Sequence, residues 1–238
     1  MTDPRLSRRD LLRLGLAAAP ASLAAACGWD GGPHIAPKLR AFSRVNDWIG
    51  ENVFLSARHL APQYPASKRT TPVNFPVYAI TRPFPAPPDA WALEVGGLVG
   101  KPLRLSLADL QLLPRLTYTV KHHCVEGWTA IATWTGVPVA SVVALAQPAA
   151  AARYIRFDSF DGGYSNGWDL QSAMHPQTIL AYAMNDRPLG TDHGAPLRLY
   201  SPVKLGYKLT KYLTGMTFTA ERPGGYWEDR GYPWLGGV

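Results

Sequence analysis

Apolar side chains recur at strand spacing through most of the chain beyond residue 90, and at helical spacing only in short runs. Trp91, Leu93 and Val95 alternate with Ala92 and Glu94 before Gly96-Gly97, which predicts a strand ended by the glycines. Residues 117–121 read as a strand leading to Cys124, and 153–160, 178–184, 196–201 and 215–219 are strand-like, with Asn185-Asp186 as a turn. Helical signals are brief. Ser106-Leu107-Ala108-Asp109 is a capping box opening a helix that Pro114 stops, and Val139, Val142, Val143 and Ala146 have helical spacing behind Pro138 at a first-turn position. Strands outnumber helices without regular βαβ alternation, so the expected fold is α+β: a mixed, strand-rich sheet domain with short helices.

Upstream the pattern changes twice. Ser7-Arg8-Arg9-Asp10-Leu11-Leu12 has the twin-arginine form, and the alanine-rich stretch 14–26 behind it is too short and too weakly apolar for an ordinary membrane span. Residues 1–27 are therefore expected to be a twin-arginine signal peptide, an export address that places the mature protein in the periplasm or otherwise outside the cytoplasm. Leu23-Ala24-Ala25-Ala26-Cys27-Gly28 resembles a lipoprotein cleavage box with Ala24 in place of the preferred leucine, and a lipid anchor at Cys27 is one reading of it. Cleavage after Ala24-Ala25-Ala26 is the other. Residues 28–70 read as a linker and lead-in arm with one helical candidate at 40–54. The six prolines between Thr71 and Pro88 predict an extended, irregular path at the start of the main domain, 71–238.

The formal charge of +7 includes +2 from the leader, whose four arginines outweigh two aspartates. The rest could serve an anionic cofactor, and no run of Lys and Arg interleaves with aromatics as a nucleic-acid surface would require. Two cysteines, one at the cleavage point, make no disulfide framework. Cys124, kept unpaired in an exported protein, calls for an explanation.

It stands in Lys121-His122-His123-Cys124-Val125-Glu126-Gly127-Trp128. A thiol there can be a metal ligand, a nucleophile with His122 or His123 as base, or a buried apolar group. Adjacent His122 and His123 on a strand point to opposite faces, and no second cysteine completes a tetrahedral site. A metal on Cys124 must then take most of its ligands from outside the protein. Taken singly, Arg198, Lys208 and Lys211 read as solvated charges, Trp128 and Trp134 as packing beside the loop, and His34 and His59 carry no role.

Cys124-Val125-Glu126-Gly127-Trp128, followed by Trp134-Thr135-Gly136-Val137-Pro138, resembles the cofactor loop of the sulfite oxidase superfamily. The similar branch is that of the catalytic subunit of periplasmic methionine-sulfoxide reductase. Trp91-Ala92-Leu93-Glu94-Val95-Gly96-Gly97, Met174-His175-Pro176, Gly194-Ala195-Pro196-Leu197-Arg198-Leu199, Lys204-Leu205-Gly206-Tyr207-Lys208 and Glu221-Arg222-Pro223 extend the resemblance over residues 71–228. The resemblance implies a molybdenum-molybdopterin cofactor with Cys124 as the protein's metal ligand and the dithiolene supplying further sulfurs. It implies cofactor contacts from Arg198, Lys211 and Lys208, from Ser159 where the family has threonine, and from His193 where the reductase branch has asparagine. Asn74 and Tyr78 are candidates in the early contact segment. It implies an oxidoreductase acting on a small-molecule substrate and a separate electron-transfer partner, a cytochrome or membrane haem subunit, because no C-x-x-C-H haem signature is present. Without the dimerisation domain of the eukaryote-type members, a monomer is expected. The competing expectations are a cysteine-nucleophile hydrolase or transferase and an exported lipoprotein that binds without a cofactor.

Overall fold

The computed structural model describes residues 42, 44–45, 47–50, 59–71 and 75–238. Within the helix expected at 40–54, the described residues 42, 44, 45 and 47–49 are helical. The leader, Cys27 and Asn74 lie outside the described residues. Every element below belongs to the unit Ile49–Val238.

Two five-stranded sheets make the domain. The first runs β2 (Leu103–Leu105), β1 (Leu93–Gly97), β10 (Leu213–Thr219), β5 (Tyr154–Ser159), β6 (Ser165–Asp169). Its β1–β10 pair is parallel while the others are antiparallel, so the sheet is mixed as expected. The second is antiparallel: β3 (Leu116–His123), β4 (Thr129–Pro138) and β7 (Ile179–Met184), whose far edge pairs with β8 (Arg187–Pro188) and β9 (Arg198–Tyr200). The helices are short, α1 (Leu107–Gln111), α2 (Val139–Ala146) and α3 (Leu170–Ala173). Ser106 and Asp109 close the expected capping box on α1, and α2 buries Val139, Val142, Val143 and Ala146.

Inward-facing Leu93, Val95, Ile155, Phe157, Met216 and Phe218 of the first sheet join Val120, Ala132, Trp134 and Leu180 of the second in one apolar core. Gly136 sits at an irregularity between β4 and β7, where a Cβ would lie 2.2 Å from the Leu180 carbonyl oxygen. Only glycine lets the two backbones come so close, which explains its place in the Trp134–Pro138 run. Residues 59–71 are bonded to the second sheet. Tyr64 N–H donates to Thr119 O at 2.9 Å, Thr70 N–H to Ile131 O at 2.8 Å, and Arg69 reaches Thr133 and Asp186.

Candidate active site

Cys124 stands at the tip of the β3–β4 hairpin. Alternation along β3 puts Tyr118, Val120 and His122 on its buried face, and Cys124, two residues on, continues that face. Its N–H donates to Trp128 O at 3.0 Å, and Gly127 N–H donates to Cys124 O at 3.1 Å. Gly127 takes φ +89°, a left-handed backbone that a side chain would strain. The half-buried thiol donates to Glu126 Oε2 at 3.6 Å, and Trp128 Nε1 donates to the same oxygen at 2.9 Å. Burial pushes the thiol's pKa up; the Glu126 amide partly offsets this, and the Glu126 carboxylate adds to it.

The thiol opens on a cavity of about 200 Å³, which Tyr78, Ser159, His193, Arg198 and Lys211 also line. β9 delivers Arg198, only 5% exposed. Its guanidinium donates to His193 O at 3.0 Å and lies 4.9 Å from the Trp134 ring, while its Nε is buried with no hydrogen-bond partner among the described residues. His193 closes the turn Thr191–His193, and Gly194 behind it takes φ +97°. A Cβ on Gly194 would lie 2.7 Å from Lys211 Cβ, so this glycine sets how near His193 and Lys211 come. Lys211 Nζ donates to Asp192 O at 2.9 Å.

These basic groups crowd one another out of water. Burial, then the Arg198 charge, lowers His193 to about 4 and Lys211 to about 7. Burial lowers Arg198 itself to about 10, and burial followed by Arg198 lowers His122 to about 3. His122 Nδ1, like Arg198 Nε, is buried without a partner among the described residues. The unsatisfied Arg198 Nε–H, with the Lys211 ammonium on the same cavity, makes a site that an anion with several acceptor oxygens would relieve.

Lys208 does not join this group. The sequence placed it among the cofactor contacts, but its ammonium is fully buried elsewhere, paired with Glu228 and donating to Gly167 O at 2.7 Å. The turn at 206–208 aims it behind the cavity rather than into it, and only Lys211 of the two lysines lines the site. The sequence also passed over residues that shape the cavity. Phe75 packs 5.2 Å from the His193 ring and 5.8 Å from Trp128. Buried Asp161 accepts from Ile80 N–H and Thr81 N–H, both at 2.8 Å, and so fastens the proline-rich segment along the cavity. Nothing in the sequence singles out Asp161, whose anchoring function has no local signal.

Residues 81–227 match the sequence model of the oxidoreductase molybdopterin-binding domain. The chain belongs to that family. It is also 36% identical over 234 residues, 97% of this chain and 88% of the other, to a chain of Azospira oryzae named as a protein-methionine-sulfoxide reductase subunit, YedZ1. Among solved structures it resembles the sulfane dehydrogenase SoxCD of Paracoccus pantotrophus, with a TM-score of 0.53 at 22% identity. That likeness covers 56% of this chain and 39% of the SoxCD chain, and it supports the strand-rich sulfite oxidase-type fold alone. The chain is therefore a molybdopterin-binding oxidoreductase.

The cavity fits such a cofactor. A molybdopterin brings a phosphate and a dithiolene, and the partnerless Arg198 Nε–H with Lys211 beside it on the same cavity is a donor set that suits a phosphate-bearing anion. Among the described residues no three His, Cys, Asp or Glu side chains gather as a metal site. A metal held by the Cys124 sulfur would take its other ligands from groups other than a cluster of His, Cys, Asp or Glu side chains, the pterin dithiolene among them.

Proposed function

We propose that this chain is an exported mononuclear molybdenum oxidoreductase in which Cys124 ligates the metal and Arg198, Lys211, Ser159 and His193 hold the pterin. Oxygen-atom transfer, or related two-electron chemistry, on a small or sulfoxide-type substrate is its reaction. The observation that carries the reading is the convergence of the Cys124 thiol and the partnerless Arg198 donor on one cavity. The bound cofactor supplies the two-electron chemistry; the chain supplies position and electrostatics. The hairpin tip presents the thiolate and fixes its direction, Glu126 braces both the thiol and the Trp128 indole, and Arg198 and Lys211 set a positive floor. The rings of Phe75 and Trp128 pack 5.8 Å apart and give the cavity an apolar side.

A nucleophilic Cys124 is less well supported. A thiol with a raised pKa is a poor nucleophile, its hydrogen-bond partner is a carboxylate, and His122 is too weak a base once buried. The twin-arginine sequence supports export with cleavage near Cys27 and a mature domain over 71–238, and Cys27 offers a lipid anchor. The name of the Azospira oryzae relative as a subunit supports a separate partner for this chain, which in this reading is the electron-transfer protein, a cytochrome or membrane haem subunit.

The test is Cys124→Ser in the full chain, expressed with its leader in a host that makes the cofactor. Folded periplasmic protein with turnover lower by at least about a thousandfold is expected, because a hydroxyl is a poor substitute for a soft thiolate. Unchanged turnover in that variant refutes the assignment.

A further inference from the structure

The cavity has a second, aromatic lining, built largely outside the stretch that the family match covers, and it takes in Tyr78, which the resemblance offered as a candidate cofactor contact. Tyr78, before residue 81, and Tyr232, after residue 227, both line it, as does Trp227 at the end of the matched stretch. Their rings form a continuous series. Tyr78 lies 5.9 Å from Trp227, Trp227 lies 4.9 Å from Tyr232, and Tyr232 lies 5.2 Å from Tyr207. The series returns to the thiol loop, because Gly206 comes so near His122 that a Cβ there would lie 2.9 Å from His122 Nε2.

The wall is rigidly held. The buried Lys208–Glu228 pair pins the turn Glu228–Arg230 between Trp227 and Tyr232, and Asn166 Nδ2 donates to the same carboxylate. Tyr226 N–H donates to Ser165 O at 2.9 Å, and Tyr207 Oη donates to Pro233 O at 2.5 Å. Lys208 therefore works as an anchor for the wall. On the open side, Tyr78 is 51% exposed and Val125, next to Cys124, is 42% exposed. Of the basic groups Arg198 is buried and Lys211 half-buried, the His193 imidazole is neutral with its pKa lowered to about 4, and the charged group that meets the thiol is the Glu126 carboxylate. A small oxyanion substrate would meet rings and a carboxylate at the thiol, whereas a neutral molecule with an apolar or sulfur-bearing substituent would find surface to cover.

Resting on the molybdenum reading of the same cavity, we propose that Tyr78, Trp227 and Tyr232 form the specificity wall of the enzyme and seat the apolar substituent of a neutral substrate. For a sulfoxide the balanced step is cleavage of the S–O bond with uptake of two electrons and two protons, leaving the sulfide and water. Two equivalents of a reduced viologen, a one-electron donor, supply the electrons in the assay.

The experiment compares methyl p-tolyl sulfoxide, dimethyl sulfoxide and sulfite on the molybdenum-loaded full chain, wild type against Trp227→Ala, Trp227→Phe and Tyr78→Ala, with molybdenum counted in every sample. Wild type should favour the tolyl sulfoxide over dimethyl sulfoxide in kcat/KM and leave sulfite unoxidised with ferricyanide as acceptor. Trp227→Ala should cut that preference about tenfold, mostly through KM, with Trp227→Phe restoring most of it. Tyr78→Ala, at a half-exposed position that truncation leaves foldable, should cut it about threefold. Equal preference in all variants at full molybdenum content, or efficient sulfite oxidation by wild type, overturns the proposal and leaves the molybdenum reading standing. Folded wild type without molybdenum overturns that reading and this proposal with it.

Discussion

Lys211 illustrates what the site demands of single residues. Its ammonium is buried beside Arg198, with Asp161, Asp192 and Arg82 also in its field, and its pKa falls from 10.5 to about 7. A lysine whose folded pKa lies below its unfolded value penalises the fold wherever both states must carry the proton. The penalty is complete below pH 7, shrinks as pH rises from 7 to 10.5, and vanishes above. Urea midpoints of cofactor-free protein should therefore rise between pH 7 and 10, and Lys211→Met should flatten that rise. A wild-type midpoint that falls in step with the variant's over this window would contradict the burial and crowding described for Lys211. Cys124 and Arg198 were legible as residues because each stands in a distinctive run. Lys208 and Lys211 were not separable, since three positions of spacing in a 3-10 turn followed by irregular chain give no rule for which ammonium faces inward.

Among elements, the segment from Phe75 to Thr81, which lines the cavity from Phe75 to Ala79, has little regular structure of its own. Asp161 supplies what strand pairing would otherwise supply, accepting two backbone N–H groups of this segment. Asp161→Ala leaves those donors without their acceptor. It should destabilise the protein by about 2–3 kcal/mol, since hydrogen bonds to a buried charge are among the stronger ones. Thermal melts and limited proteolysis of the variant should show an earlier transition with first cuts between Phe75 and Thr81; cuts elsewhere at an unchanged transition would refute the anchor. Legibility of elements followed alternation. β1, β5, β7 and β10 were each visible in sequence to within a few residues. β6 was not, because Ser165-Asn166-Gly167-Trp168-Asp169 carries one apolar side chain, yet all five residues are buried. Its polar groups find partners near and far: Asp169 accepts from Ser172 three residues on, and Thr210 Oγ1 donates to Asn166 Oδ1 at 2.9 Å from 44 residues away. The distant part of that specification is what no local period can reveal.

At the scale of the molecule, the two sheets share a core, and the chemistry gathers where the β3–β4 hairpin tip, the end of β5, β9 and the C-terminal segment meet. The α+β class was legible from the excess of short strands, and the family from runs spread across the chain. The aromatic wall was not, because Tyr78 lies 149 residues before Trp227, and the two become neighbours only through the Asp161 and Lys208–Glu228 anchors. The central claim is that this cavity holds a molybdenum pterin through Cys124. The direct measurement is molybdenum and released pterin in full-length chain purified from the periplasm of a host that makes the cofactor, beside Cys124→Ser. The account predicts about one molybdenum and one pterin per wild-type chain, with the metal lost from the variant. Well-folded wild-type protein carrying neither would contradict it.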